Sequence, residues 1–193
     1  QLYERFKFQG TAIANQFPLL MSGIWKNSKT LDKNDTVEEV IKNGTLNIGF
    51  TGLAETLIAL IGKHHGESEE AQKLGLEIVI LMKDLAEEFS EKYNLNFELI
   101  AISKELEERF IRKDRLLYGE IKGVTDLESY TNSIDIPNWY ETDIESKIKI
   151  EAPYHELCLA GHMLNINFKE EQELEKIINL IDKYNIGYAG ISA

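Results

Sequence analysis

Two clusters of residues in this chain carry side chains able to do chemistry. The first is His64, His65, Gly66, Glu67 and Ser68, in GKHHGES. An imidazole there could donate to a phosphate or sugar oxygen or bind a metal, although the residues alone favour a capping, hydrogen-bonding loop. A helix opening at Ser68 would offer free amides to an anion. The second is His155, Cys158 and His162, in PYHELCLAGH, which have the residue types of a zinc or iron site. If that segment is a strand, His155 and Cys158, three apart, fall on opposite faces, so a metal site needs a bulge at Gly161 or a partner such as His64. Cys158 is the only cysteine, which excludes an internal disulfide and leaves a redox thiol or a small packed one.

Two further stretches are polar in a usable way. Arg109, Arg112 and Lys113 share a helical face, with Arg115 close by, and could meet phosphates or pair with Glu105 and Glu108. Tyr130, Asn132 and Ser133, in YTNS, supply the hydroxyl and amide groups that read a ribose or a base, or that build a polar turn.

These residues must be held by regular elements. Residues 45–50 are an apolar-leaning run between glycines, which suits a strand, and Gly49 and Gly52 bracket the turn after it. Leu53, Leu57, Leu60 and Ile61 then share a helical face that Gly62 ends. This is the βα unit of an α/β protein, whose ligands gather at strand ends. Ser68 caps a long helix with Leu74, Ile78, Leu81, Leu85 and Phe89 on its inner face, widened by Val79, Met82 and Ala86. Upstream, residues 2–21 read as a helix interrupted at Gly10 and disturbed at Pro18, and Asp35 or Thr36 caps a short helix. Downstream, the pattern predicts a strand over 97–102, a helix over 104–117, a long turn-rich segment over 118–140, and strands over 144–151, 157–168 and 186–191. A clean amphipathic helix spans 170–184. Residues 1–193 read as one α/β domain with some parallel pairing, without repeats or an interdomain linker.

A hydrophobic share of 43% in 193 residues supports a sizeable core. A net charge of −12 argues against an extended nucleic-acid footprint, while a single nucleotide needs only a local basic patch. No apolar run of about 18 residues and no signal-peptide layout occur, which predicts a soluble cytoplasmic protein with no membrane contact.

The stretch GTLNIGFTGLAETLIALIGKHHGESEEAQKLGLEIV resembles the core of the anaerobic, class III ribonucleoside-triphosphate reductases, which are glycyl radical enzymes. The likeness runs from LYERFKFQGTA through YGEIKGVTD and YTNS to KIKIEAPYHELCLAGH and NIGYAGIS. It implies a fold that is part, about half, of a ten-stranded α/β barrel. It implies a portion of an enzyme that reduces ribonucleoside triphosphates by radical chemistry, often with formate as reductant. The glycyl radical of the complete enzyme comes from an activase using a 4Fe–4S cluster and S-adenosylmethionine, and a structural zinc is expected there. No cofactor is expected in this chain. On this resemblance His64, His65, Glu67, Ser68, Tyr130, Asn132, Ser133, His155 and His162 are expected near the substrate cavity, with no catalytic residue or metal ligand assigned. The family's radical cysteine lies upstream of the matched part, so Cys158 is not expected to be it.

The chain departs from that family in two places. AISKELEERF stands where the family has a loop resembling ATPAEGLSGRF, suited to holding phosphate on backbone amides, and Asp135 stands where a histidine is common. The zinc site and glycyl radical loop lie beyond the matched part, so the chain alone is expected to be inactive. The alternative reading is a catalytically dead nucleotide-binding or interaction module, and a weaker one is a metal-binding protein. Open sheet edges predict a homodimer or a complementary reductase subunit.

Overall fold

The computed structural model describes residues 1–101, 107–167 and 173–192. Its contacts divide into two compact units. One comprises Gln1–Asn47 with Leu85–Glu98, and the other Ile48–Asp84 with the described residues from Leu99 on.

In the first unit α1 spans Leu2–Gly10 and α2 spans Glu38–Ile41. The helix expected to reach residue 21 stops at Gly10. A Cβ at Gly10 would stand 3.1 Å from that of Glu38, and Thr11 Oγ1 turns back to donate to the Phe8 carbonyl at 2.8 Å. The chain then makes short 3₁₀ turns, and Ile13 bridges antiparallel to Thr36. Neither Asp35 nor Thr36 caps α2. Asp35 instead accepts the Asp32 amide at 2.8 Å, and Val37 precedes the helix without a side-chain bond.

The residues able to do chemistry lie in the second unit, and the remaining elements of the chain, some of which run through both units, are these. Strand β1, Thr45–Gly49, leads into α3, Leu53–Ile61, which Gly62 closes in the left-handed conformation at φ 78°. Helix α4, Glu69–Tyr93, follows with the expected cap: Ser68 Oγ accepts the Ala71 amide at 3.2 Å. Strand β2, Asn96–Ala101, and helix α5, Glu107–Tyr118, come next. Helix α6 is Ile144–His155, followed by β3, Gly161–His162, β4, Leu164–Asn167, α7, Glu173–Lys183, and β5, Ala189–Ser192. The sheet order is β1-β2-β3, with β2 and β3 parallel and Ile100 opposite Gly161. Strands β4 and β5 are also parallel, Leu164 opposite Ala189, with α7 as the intervening helix; parallel neighbours require such a crossover.

Two expected strands resolve differently. Residues 144–151 are not a strand but the first turns of α6. Asp143 caps this helix, accepting the Ser146 amide at 3.0 Å and the Ser146 hydroxyl at 2.6 Å. The buried positions are Ile148, Glu151, Ala152, Tyr154 and His155, a helical spacing with a glutamate and a histidine on the inner face. Those two polar residues hide the period from a hydropathy reading and leave an apparent alternation. Pro153 sits inside the helix rather than ending it. Of the strand expected over 157–168, Gly161–His162 and Leu164–Asn167 form two short strands in different sheets, and residue 168 lies outside the described residues.

One core joins Leu53 and Leu57 of α3, Val79 of α4, Leu99 and Ala101 of β2, Ile134, Tyr154 and Cys158. Each large apolar side chain buried this way contributes about 1.5–3 kcal/mol. A second packs Ile148 and Ala152 of α6 against Leu164, Ile166, Ile177 and Leu180. The closely packed face of α4 within this unit is Ala71, Gly75 and Val79, whereas Leu81 is exposed. Small residues win there because something large comes close: a Cβ on Gly75 would lie 2.4 Å from Tyr154 Oη, and Tyr154 is wholly buried. Segment 102–106, the heart of the AISKELEERF departure, lies outside the described residues.

Gly75→Ala is therefore expected to lower stability. Overpacking of about 1–3 kcal/mol outweighs a helix-propensity gain of about 1 kcal/mol. Thermal melts check this, and Tyr154→Phe in the same chain should recover most of the loss by removing the colliding hydroxyl.

Candidate functional site

The turn after β1 and the long segment 130–140 are stitched together by polar groups. Glu55, in the first turn of α3 and only 1% exposed, accepts two bonds at Oε1, from the Thr131 amide at 3.1 Å and the Thr131 hydroxyl at 2.6 Å. The Gly52 amide and the Thr51 hydroxyl both donate to the Thr131 carbonyl at 2.9 Å. The Ser133 hydroxyl donates to the Phe50 carbonyl at 2.7 Å, and Ser133 has a positive φ of 33°. Asn132 Nδ2 donates to Asp135 at 3.3 Å.

The histidine loop holds the next part of the same segment. His65 Nε2 donates to the Ile134 carbonyl at 3.0 Å, which sets its neutral tautomer and leaves Nδ1 buried without a partner. His64 Nδ1 accepts the Gly66 amide at 3.1 Å, so its proton sits on Nε2, 3.6 Å from Glu67. Glu67 Oε2 also accepts the His64 amide at 2.8 Å. Trp139 and Tyr140 stand edge-on to the His64 ring, and the Tyr140 hydroxyl donates to the Gly66 carbonyl at 2.9 Å. A Cβ on Gly66 would approach His64 Cε1 to 2.9 Å, so only glycine fits. Burial pushes both imidazole pKa values down, His65 to about 4, with the Ile134 carbonyl only partly offsetting it.

Glu151 of α6 completes the frame. Its Oε1 accepts the Ile136 amide at 2.9 Å and an ion pair from Lys147 at 2.5 Å, yet burial still raises its pKa to about 7. Beyond it, His155 and His162 place their rings 4.3 Å apart, with no hydrogen-bond partner at any of the four nitrogens. His155 is pushed down to about 4, first by burial and then by His162 and Lys147. Tyr154 connects the two histidine groups, its ring 5.5 Å from that of His65. The strand geometry assumed for a His155, Cys158 and His162 metal set does not hold, since His155 ends a helix and His162 lies in β3. Among the described residues no group of three or more His, Cys, Asp or Glu side chains is placed to hold a metal ion. Cys158 is wholly buried, and burial pushes its thiol up to about 12.

A cavity of about 510 Å³ opens where β1 meets α3, bounded by Thr51, Gly52, Glu55 and Thr56 and by Asp114 and Tyr130. The Tyr130 hydroxyl donates to Asp114 at 2.9 Å, and burial pushes its pKa up to about 12. Of the residues expected at a substrate cavity, Tyr130 lines this one. Asn132 and Ser133 are in the adjoining segment, His64, His65 and Glu67 support that segment, and Ser68 caps α4. His155 and His162 form their separate pair. Glu55, Thr131, Glu151 and Asp114 were missed by sequence reasoning. Glu55 had a signal, a lone carboxylate among Leu53, Ala54 and Leu57, whereas Asp114 had none. Of the basic cluster, Arg112 pairs with Glu108 at 2.9 Å and Arg115 donates to the Thr125 and Leu127 carbonyls. Among the described residues no helix is long and apolar enough to cross a membrane.

Parallel strands joined by helices, with a βα turn at the cavity, place the chain among α/β proteins, and solved structures share this fold. An anaerobic ribonucleotide reductase from Thermotoga maritima with glycerol in its active site superposes with a TM-score of 0.65 at 22% identity, covering 98% of this chain and 31% of that one. The same reductase with dATP in its specificity site gives 0.66 at 20% identity, over 98% of this chain and 32% of that one. The family model for anaerobic ribonucleoside-triphosphate reductase matches residues 1–193. The Escherichia coli enzyme of that name is 33% identical over 135 residues, 68% of this chain and 19% of the enzyme. That of phage T4 is 28% identical over 168 residues, 84% of this chain and 26% of the enzyme. The chain belongs to the anaerobic ribonucleoside-triphosphate reductase family. It spans about a fifth to a quarter of these curated relatives and corresponds to a portion of their length.

The buried histidines make stability depend on pH. Between pH 6.5 and about 4 the unfolded chain takes up protons that folded His65 and His155 refuse, so stability falls on acidification. Glu151 acts in the opposite sense between pH 4.5 and about 7, where the folded chain holds the extra proton. Three lowered histidines, His64 among them, outnumber the two raised carboxyls of Glu55 and Glu151, so urea denaturation should show stability falling from pH 6.5 to 4.5. His155→Phe should flatten that slope by about 1.4 kcal/mol per pH unit; an unchanged slope would put His155 in water. The Cys158 thiol should resist alkylation at pH 8 in the native chain and react once the chain is unfolded.

Proposed function

We propose that this chain is a working portion of an anaerobic ribonucleoside-triphosphate reductase and that it helps hold the ribonucleoside triphosphate in the complete enzyme. The observation that carries the reading is the fastening of YTNS between the β1–α3 turn and the histidine loop by Glu55, His65 and Ser133. A strand-end turn with a polar segment locked across it is where α/β proteins hold ligands. In this reading Tyr130, Asn132 and Ser133 stand on the substrate side. His64, His65, Glu67 and Ser68 fix the backbone behind them, and His155 and His162 extend the polar interior toward the rest of the cavity. The reduction itself belongs to the complete enzyme, with its glycyl radical, its 4Fe–4S and S-adenosylmethionine activase and its structural zinc. A second copy or a complementary reductase subunit would supply further neighbours, and the compartment would be the cytoplasm.

Calorimetric titration of the 193-residue chain with the four ribonucleoside triphosphates, with and without magnesium, tests this. Binding that weakens at least tenfold in Asn132→Ala is expected. No binding in either condition would sink the nucleotide-holding role. Binding that persists while a complete homologous reductase carrying this segment stays inactive beside its activase would instead support a nucleotide-binding module that has lost catalysis.

A further inference from the structure

Helix α4 presents its apolar residues in two rows with different fates. Ala71, Gly75 and Val79 are buried, and the larger apolar side chains stand beside them rather than among them. Leu74 and Ile78 are partly buried against the core, Leu81 is 59% exposed, and Leu85, one turn further along the same helix, is 44% exposed. Their spacing alternates between four and three residues, the pattern of a helix–helix seam in which apolar residues recur at heptad positions a and d. With Ile78 and Leu85 at a, and Leu74 and Leu81 at d, the g positions of α4 are Glu70, Glu77, Asp84 and Glu91. All four are acidic and exposed. Lys73 reaches Glu77 at 3.9 Å, an exposed pair too weak to change the sign of that row. On the opposite flank, at e, Gly75 is buried and Met82 packs against the core.

The charges choose the occupant, because residues at e and g set partner and orientation in a helical seam. Two copies of α4 paired antiparallel would set g against g, carboxylate against carboxylate. Paired parallel, they would set the acidic row against Gly75 and Met82, which offer no cation. A net charge of −12 adds to the repulsion between copies. We propose that the face of α4 formed by Leu74, Ile78, Leu81 and Leu85 is a docking site for a basic amphipathic helix of a partner polypeptide. The apolar side of that helix seats on the four residues, and its lysine or arginine side chains meet Glu70, Glu77 and Asp84. Burial of the two exposed leucines drives association, as in other helix recognition, while the acidic row selects the partner and speeds encounter.

The test uses the 193-residue chain and two designed helical peptides of about three heptads. Both carry leucine at a and d; one has lysine at e and g, the other glutamate, and like charges keep each from pairing with itself. Fluorescence anisotropy follows binding, and thermal melts confirm that each variant of the chain folds. The lysine peptide should bind, at least tenfold more tightly than the glutamate peptide, and added salt should weaken its complex. The combined change Leu81→Ser and Leu85→Ser keeps the charge and should weaken binding of the lysine peptide at least tenfold. Reversing the row with Glu77→Lys and Asp84→Lys should exchange the preference, so that the glutamate peptide binds more tightly than the lysine one, a gain that a misfolded chain could not show. Failure of the lysine peptide to bind, equal binding of the two peptides to the parent, or lysine-peptide binding that survives both serine replacements overturns the proposal. Sedimentation velocity decides the rival occupant: a parent dimer that dissociates in the serine variant, with no binding of the lysine peptide, would make a second copy the occupant and overturn the basic partner.

Discussion

The carboxylate of Glu55 is the interaction on which the site depends. A buried ionisable group is tolerated only where hydrogen bonds compensate its desolvation. Thr131 does so twice at one oxygen, with its amide and its hydroxyl. The return is positional: residues 130–134 are held against the first turn of α3, and the Gly52 amide and Thr51 hydroxyl lock the same residue from the other side. The long segment after α5 contains neither helix nor strand, and this anchor to α3 joins the bonds that Asp114 and Arg115 of α5 and Glu151 of α6 make to it.

The same physical device recurs along the segment. His65 takes the Ile134 carbonyl, Ser133 takes that of Phe50, Glu151 takes the Ile136 amide, and Tyr140 takes the Gly66 carbonyl. Backbone groups that a buried loop would otherwise leave unpaired are thus satisfied by side chains from α3, α6 and the histidine loop. This explains why so many polar residues lie inside: His64, His65, Glu55, Glu151, Ser133 and His155 are all at most 2% exposed. Their role in the fold is to carry a loop through the interior. The pKa shifts of Glu151, His65 and His155 are the electrostatic consequence, with desolvation the largest cause in each.

Much of the fold was legible in advance where local chemistry decides it. The β1–α3 unit, the Gly62 stop, the Ser68 cap and the amphipathic α7 follow from residue type and spacing, and the resemblance carried in GKHHGES, YTNS and PYHELCLAGH agrees with the family match over the whole chain. Local reasoning failed at α6, where a buried glutamate and histidine occupy the inner face and make a helix look like an alternating strand. It also failed on α4, where Leu81 looked buried and proved exposed, while Gly75 took the crowded position against Tyr154.

The sequence by itself determined which residues could act and such local boundaries as the end of α3 at Gly62 and the start of α4 at Ser68, because caps, turns and apolar periodicity operate over a few residues. Only the tertiary structure decided which of those residues meet. Glu55 and Thr131 are 76 positions apart, His65 and Ile134 are 69 apart, and Tyr130 reaches Asp114 across a turn-rich stretch. Such contacts are selected by the demand that every buried polar group find a partner, a condition satisfied over the whole fold at once and invisible in any local window. That is why the histidine pair could be named as chemistry from its residues alone, while the carboxylate that anchors the site emerged only when the chain was folded.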